Sequence, residues 1–185
     1  MGTVAGVVWG KFNVEPWIRG MKTAGWDWCL VSDDPLWSGQ AMMMPTSPYS
    51  GLGRAGWLKA QAVARGMIGM DCDIIMQQPC PVPECSTVGM CADIGGRKYD
   101  CLGGREELNS GLIVCGPGMG GRFLDQFVWA MTLVPAEPWR DEIAASWAFY
   151  SMGGVVLDQR YNMSHRAADT SSAWGIHYHG HSKPL

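Results

Sequence analysis

Ile68-Gly69-Met70-Asp71-Cys72-Asp73-Ile74-Ile75 is an apolar run carrying two aspartates one residue apart. We read Asp71 to Ile75 as a buried strand, entered through Ile68-Gly69-Met70. In a strand, residues i and i+2 share a side, so Asp71 and Asp73 would present both carboxylates to one ligand. Hard oxygen donors on one side suit Mg2+ or Mn2+ held jointly with a diphosphate. An Asp-x-Asp triplet is weak by itself, and the plain alternative is a solvated strand end with two surface carboxylates. Its place gives it weight, because the end of an apolar strand is where an α/β sheet opens its ligand crevice.

On either side of this run the chain alternates strand and helix signals. Val4 to Trp9 is a short apolar run closed by Gly10 and reads as a buried strand. Glu15-Pro16 opens a helix reaching Ala24-Gly25, with proline in the first turn. Trp28 to Val31 is a second buried strand, and residues 35–53, rich in Pro, Ser, Gly and Met, read as one long loop. Ala55 to Met67 reads as a helix with Ala55, Leu58 and Ala62 on one face. Residues 76–107 read as irregular around a strand near Ser86 to Met90, and Leu112 to Cys115 reads as a further strand. Two helical stripes follow, Phe123/Leu124/Phe127/Val128/Met131 and Ile143/Ala144/Trp147/Ala148, and Val155 to Leu157 is a late strand. The alternation predicts one α/β/α layered, Rossmann-like domain over residues 1–185, with a mixed, mostly parallel central sheet.

Composition narrows the function classes. The chain has 185 residues, 17% of them charged, and a formal net charge of −3. That charge, with no basic run, gives no general attraction to nucleic acid or acidic membranes. No apolar stretch approaches the ~18 residues of a membrane span. The N-terminus has neither a basic signal-peptide region nor a myristoylation pattern, so the expected location is cytoplasmic. The seven cysteines then read as free thiols. A zinc site or disulfides among Cys80, Cys85, Cys91 and Cys101 stay open as alternatives, although the spacing lacks Cys-x-x-Cys knuckles.

Four further constellations carry chemistry. His177-Tyr178-His179-Gly180-His181-Ser182-Lys183-Pro184 places three alternating imidazoles, good ligands for divalent metals, beside a lysine suited to phosphate. The alternative is a frayed terminus. Asn109-Ser110-Gly111, entering a strand, offers amide and hydroxyl contacts to a ligand, or ordinary turn chemistry. Asp141-Glu142 opens a helix, either serving its dipole or touching a reacting sugar. Gly51-Leu52-Gly53-Arg54-Ala55-Gly56 fits a dinucleotide fingerprint. However, Met42-Met43-Met44-Pro45 before it is no buried parallel strand, so that reading is set aside.

Taken in order, these residues resemble the GT-A glycosyltransferases, and most nearly family 8, the glycogenin and bacterial galactosyltransferase group. The match runs through Trp57-Leu58-Lys59, Met70-Asp71-Cys72-Asp73, Leu108-Asn109-Ser110-Gly111 and Leu157-Asp158-Gln159-Arg160-Tyr161-Asn162. It closes on the tail, residues 176–185, which fits the family's H-[FY]-x-G-x-x-K-P pattern, with Leu185 in place of its usual final Trp. The resemblance implies a nucleotide-sugar donor, most often a UDP-sugar, a hydroxyl acceptor, and Mn2+ (or Mg2+) held by Asp71, Asp73 and His177. It implies phosphate contacts from Gly180 and Lys183, and a phosphate or sugar contact from Arg54 or Lys59. It places Asn109 on the donor sugar and Asp33 near the base. Asp141 and Glu142 fall beside the anomeric carbon, where the family usually has Asp-Gln. It also implies transfer with retention of configuration.

Three other classes compete with this one. They are a nucleotidyltransferase using the same metal–diphosphate chemistry, a non-catalytic sugar or sugar-nucleotide binding module, and a zinc-stabilised domain over Cys80–Cys101. The chain's tryptophans would serve saccharide stacking in a binding module, but Trp129 and Trp147 lie in helical segments and read as core.

Overall fold

The computed structural model describes residues 2–93, 96–134 and 140–178. The strands are β1 (Val4–Val7), β2 (Trp28–Ser32), β3 (Met42–Met43), β4 (Ile68–Asp71), β5 (Ile74–Met76) and β6 (Val88–Ala92). They continue with β7 (Lys98–Tyr99), β8 (Arg105–Glu106), β9 (Leu108–Cys115), β10 (Val155–Val156), β11 (Met163–Ser164) and β12 (Gly175–His177). The helices are α1 (Glu15–Ala24), α2 (Gly51–Ala64), α3 (Gly120–Leu133) and α4 (Arg140–Ser151).

Seven strands form the main sheet in the order β10-β6-β9-β4-β1-β2-β3. All pairs are parallel except those made by β9, which runs antiparallel to both β4 and β6. This is the expected mixed, mostly parallel sheet in a single α/β domain. From β1 the chain moves outward through α1 to β2, then returns through α2 to β4 on the other side of β1. The order therefore reverses between β1 and β4, and such a switch point opens a crevice beyond the carboxyl ends of the strands.

Alternation along β1 sets the two faces. Val4 and Val8 join the cluster with Trp17 and Met21 of α1, while Ala5 and Val7 join the cluster built on α2, α3 and α4. Helix α1 begins with Pro16 in its first turn and ends on Gly25 in the left-handed conformation at φ 73°, whose N–H donates to the Lys22 and Met21 carbonyls. Beside α1 lies a small sheet, β11-β12-β5.

Several expectations are corrected. Asp71 to Ile75 is not one strand: β4 ends at Asp71, Cys72 and Asp73 form a turn, and β5 leaves for the small sheet. Periodicity cannot show this, because both strands are apolar and short. Residues 35–53 are not one loop. They hold a 3-10 turn at Pro35–Trp37, an exposed edge strand β3 parallel to β2, and the start of α2. Asn109, Ser110 and Gly111 lie inside β9, which is eight residues long, rather than ahead of it. Trp129 is 48% exposed instead of core and sits against Trp147 with ring centroids 5.3 Å apart. Two residues past Phe127, it faces away from the stripe of Phe123, Phe127 and Met131.

All seven cysteines are free thiols. No helix among the described residues is long and apolar enough to cross a membrane.

Candidate active site

A cavity of about 510 Å3 opens at the carboxyl ends of β1 and β4. One wall is apolar and includes Val8, Trp9, Phe12 and Leu52. The lining also carries Lys59, Asp71, Asp73, Ser110, Asp141, Glu142 and His177. A mostly apolar cavity with a cluster of polar and charged groups suits a ligand with an organic portion joined to a polar one.

The acidic end is built by three elements. Asp71 closes β4, Asp73 occupies the turn that follows, and His177 closes β12. Strand β12 pairs with β5 in the register His177 opposite Ile74, and the Tyr178 N–H donates to the Asp73 carbonyl at 2.9 Å. This pairing returns a residue distant in sequence to the Asp-x-Asp turn. His177 Nε2 lies 3.2 Å from Asp73 Oδ1. One ligand atom from each of Asp71, Asp73 and His177 falls within 4.8 Å of the others. Two carboxylates and an imidazole form a donor set that fits Mn2+ and also accommodates Mg2+. Among the described residues no other group of three or more His, Cys, Asp or Glu converges in this way, so the cysteine-rich stretch offers no second site.

Lys59 comes from α2 and is only 1% exposed. Its Nζ lies 2.9 Å from Asp71 Oδ2 and 3.4 Å from Ser110 Oγ. Burial disfavours its charge, but the carboxylates of Asp71 and Asp141 outweigh that, and the net effect holds its pKa above the ordinary value. Asp141 is 4% exposed, and burial holds its carboxyl above the usual range despite Lys59. This acid is not a solvated helix cap. Gly56 allows it into the site, since a Cβ there would stand 2.7 Å from Asp141 Cβ. Glu142 is pushed up to about 8 by burial first and by the neighbouring Asp141 charge second.

Three of the remaining sequence candidates, Arg54, Asp33 and Asn109, lie elsewhere. Arg54 and Asp33 meet each other, Nε to Oδ1 at 2.6 Å, and Asp33 Oδ2 accepts from the Ser47 N–H at 2.7 Å. Neither lines the cavity. Asn109 does not line it either; its Oδ1 accepts from the Gly111 N–H at 2.9 Å and from Asn162 Nδ2 at 2.7 Å. Gly180 and Lys183, with most of the His-rich tail, lie outside the described residues. Sequence reasoning passed over Trp9 and Phe12, whereas Ser110, read as a hydroxyl contact within Asn109-Ser110-Gly111, does line the cavity. Trp9 carried a signal, since it follows the first strand of a parallel sheet, where ligands bind.

No protein-family model matches the sequence, and a search of curated proteins found no match. Solved structures do match. WbbM, a bifunctional glycosyltransferase, superposes with a TM-score of 0.63 at 14% identity, over 98% of this chain and 46% of that one. This chain shares the fold of that enzyme's matched part. A glycosyltransferase involved in glycosylating the major capsid of PBCV-1 gives 0.63 at 10% identity, over 96% of this chain and 92% of that one. The glycosyltransferase GlyE of Streptococcus pneumoniae TIGR4 gives 0.59 at 11% identity, over 98% of this chain and 55% of that one. The chain thus spans about half the length of WbbM and GlyE, and nearly all of the PBCV-1 enzyme.

Proposed function

We propose that this chain is a metal-dependent glycosyltransferase. In this reading it transfers a hexose from a nucleotide-sugar, a UDP-sugar first of all, to a hydroxyl acceptor with retention of configuration. The observation that carries the reading is the convergence of Asp71, Asp73 and His177 with buried Lys59 in one cavity at the sheet's switch point. A glycosyltransferase fold with that cavity in that place supports it further.

Each wall then has a task. Trp9, Phe12 and Leu52 offer apolar contact to the base and ribose. Asp71, Asp73 and His177 would hold Mn2+ or Mg2+. When bound, that ion supplies positive charge against the diphosphate that departs as the sugar–phosphate bond breaks. Lys59 adds a fixed cation in a site sheltered from water, where its field is strongest. Ser110, within reach of Lys59, presents a hydroxyl to the sugar or phosphate. Asp141 and Glu142 face the reacting sugar. In family 8 an amide stands where Glu142 stands here, and a Glu142 that keeps its proton offers the same donor-and-acceptor pair. Gly180 and Lys183 contact the phosphates in the resemblance and keep that role in the proposal.

The test is calorimetric titration of UDP into the protein with Mn2+ and then with EDTA, repeated on D73N. Manganese-dependent binding that D73N loses supports the reading. Equal binding in EDTA or in folded D73N overturns the metal assignment. If UDP, GDP and CDP all fail to bind, the nucleotide-sugar reading falls.

A further inference from the structure

We propose that Asn109 and Asn162 form a clamp that sets the position of His177, and so act as positioning residues for the metal site. This deepens the function proposed above and rests on it.

His177 reaches the site from the small sheet, whereas Asp71 belongs to the main sheet. The donor set therefore depends on how the two sheets are held together. Asn162 immediately precedes β11, which pairs with β12 in the register Ser164 opposite His177. Its side chain crosses to β9, where Nδ2 donates to Asn109 Oδ1 at 2.7 Å. Both residues are buried, at 1% and 4% exposure. A bond between two such groups is short and shielded from water, so its loss leaves unsatisfied amides behind.

The polarity of the bond is fixed. The Gly111 N–H donates to the same Asn109 Oδ1 at 2.9 Å, and a backbone N–H can only donate. Asn109 must therefore present its oxygen, and Asn162 must present its amide nitrogen. The same tie governs the seat of the His177 ring. A Cβ on Gly111 would stand 2.8 Å from His177 Cε1, 3.0 Å from His177 Nδ1 and 2.9 Å from Asn109 Oδ1. The imidazole thus packs against bare backbone at the point where Asn109 holds that backbone. The segment running from Asn162 into β11 pairs with His177 through Ser164, and that from Asn109 meets its ring at Gly111.

The experiment compares N162D, N162L and N109D with the full chain. N162D keeps the volume and turns the donor into an acceptor. N162L removes hydrogen bonding without adding charge and serves if the buried charge of N162D prevents folding. N109D retains an acceptor facing Asn162. Manganese affinity, read from the free-ion electron paramagnetic resonance signal, is expected to fall about 10–100-fold in N162D and N162L, the usual range for a residue that orients a metal ligand. The loss in N109D is expected to be smaller. In metal-free protein the His177 ring resonances are expected to shift in N162D and N162L. Unchanged manganese affinity together with unchanged His177 resonances in a folded Asn162 variant overturns the clamp. Equal losses in N109D and N162D overturn the assigned polarity. If the unaltered protein binds no manganese, the metal reading fails separately, and the His177 resonances alone decide the clamp: a shift supports it and no shift overturns it.

Discussion

Lys59 Nζ stands 2.9 Å from Asp71 Oδ2, and the lysine is 1% exposed while the aspartate side chain keeps 21% of its surface open to the cavity. The cation is thus fixed behind the carboxylate, and the carboxylate still faces the ligand. Removing one partner of a buried pair costs about 3–5 kcal/mol, because the other is left with an uncompensated charge. The partial exposure of Asp71 places K59M near the lower end, and a loss of roughly 3 kcal/mol corresponds to about 10 °C in Tm for a chain of this size. Added Mn2+ is expected to restore more of that loss in K59M than it adds to the unaltered protein, since a cation at Asp71 replaces the missing ammonium. Thermal unfolding in EDTA and in Mn2+ measures both quantities. Equal Tm values for the two proteins in EDTA would sink the claim.

Gly111 is expected to be intolerant of the smallest side chain, because of what lies above it and not because of its own conformation. A methyl there meets the His177 ring at 2.8 Å. Overpacking of this kind costs about 1–3 kcal/mol. G111A should therefore lose stability in urea unfolding and weaken manganese binding together. In an H177A background the same substitution should cost less, since the ring is gone and only Asn109 Oδ1, 2.9 Å from the methyl, still obstructs it. A G111A penalty that stays the same with and without His177 would place the strain elsewhere, at Asn109 Oδ1.

The layers of the fold were legible because apolar runs of four to six residues separated by helical stripes leave few arrangements other than an α/β sheet. His177 was legible through the tail pattern, although the pairing with β5 that brings it to Asp73 was not. The break between Asp71 and Asp73 was hidden for a physical reason: two short apolar strands joined by a two-residue turn have the same periodicity as one longer strand. Arg54 and Asp33 carry charges that any ligand reading would recruit, and only the structure shows them 2.6 Å apart and outside the cavity lining. Asn109 is similar: an amide beside Ser and Gly shows no partner in the sequence, and the structure shows Asn162, 53 residues later, donating to its oxygen. Side chains that satisfy each other across long sequence separations leave no local pattern, and those were the residues placed away from the cavity.

The tail gives a test of its own. If Lys183 meets the donor diphosphate as the resemblance implies, K183A should raise the donor KM about tenfold or more, as loss of one charge-assisted contact of about 1.5–3 kcal/mol implies. Its Tm should match the unaltered protein. Steady-state hydrolysis of UDP-sugars measures the first and thermal unfolding the second. An unchanged KM would leave Lys183 without a phosphate role.

Glu142 sets the expected response to pH. Its carboxyl is pushed from the ordinary 4.5 up to about 8, by burial first and then by Asp141, with Asp93 and Glu107 adding to the effect against Lys59. Between these two values the folded protein holds a proton that the unfolded chain has released. The contribution of this proton to stability is therefore complete below about pH 4.5, falls as pH rises toward 8, and levels off above it, by on the order of 1.4 kcal/mol for each unit crossed. E142Q removes that slope, so its Tm advantage over the unaltered protein should widen from pH 5 to 8 and then stay constant. The same proton decides the role of the side chain in transfer. A neutral Glu142 acts as a hydrogen-bond donor, so E142Q should keep turnover within about threefold at pH 7, the loss of less than one modest hydrogen bond. It should also lack an alkaline limb near pH 8 that the unaltered protein shows. A pH–rate profile for UDP-sugar hydrolysis reads both. Abolished turnover in a folded E142Q at every pH would instead assign Glu142 the work of a carboxylate, as nucleophile or base.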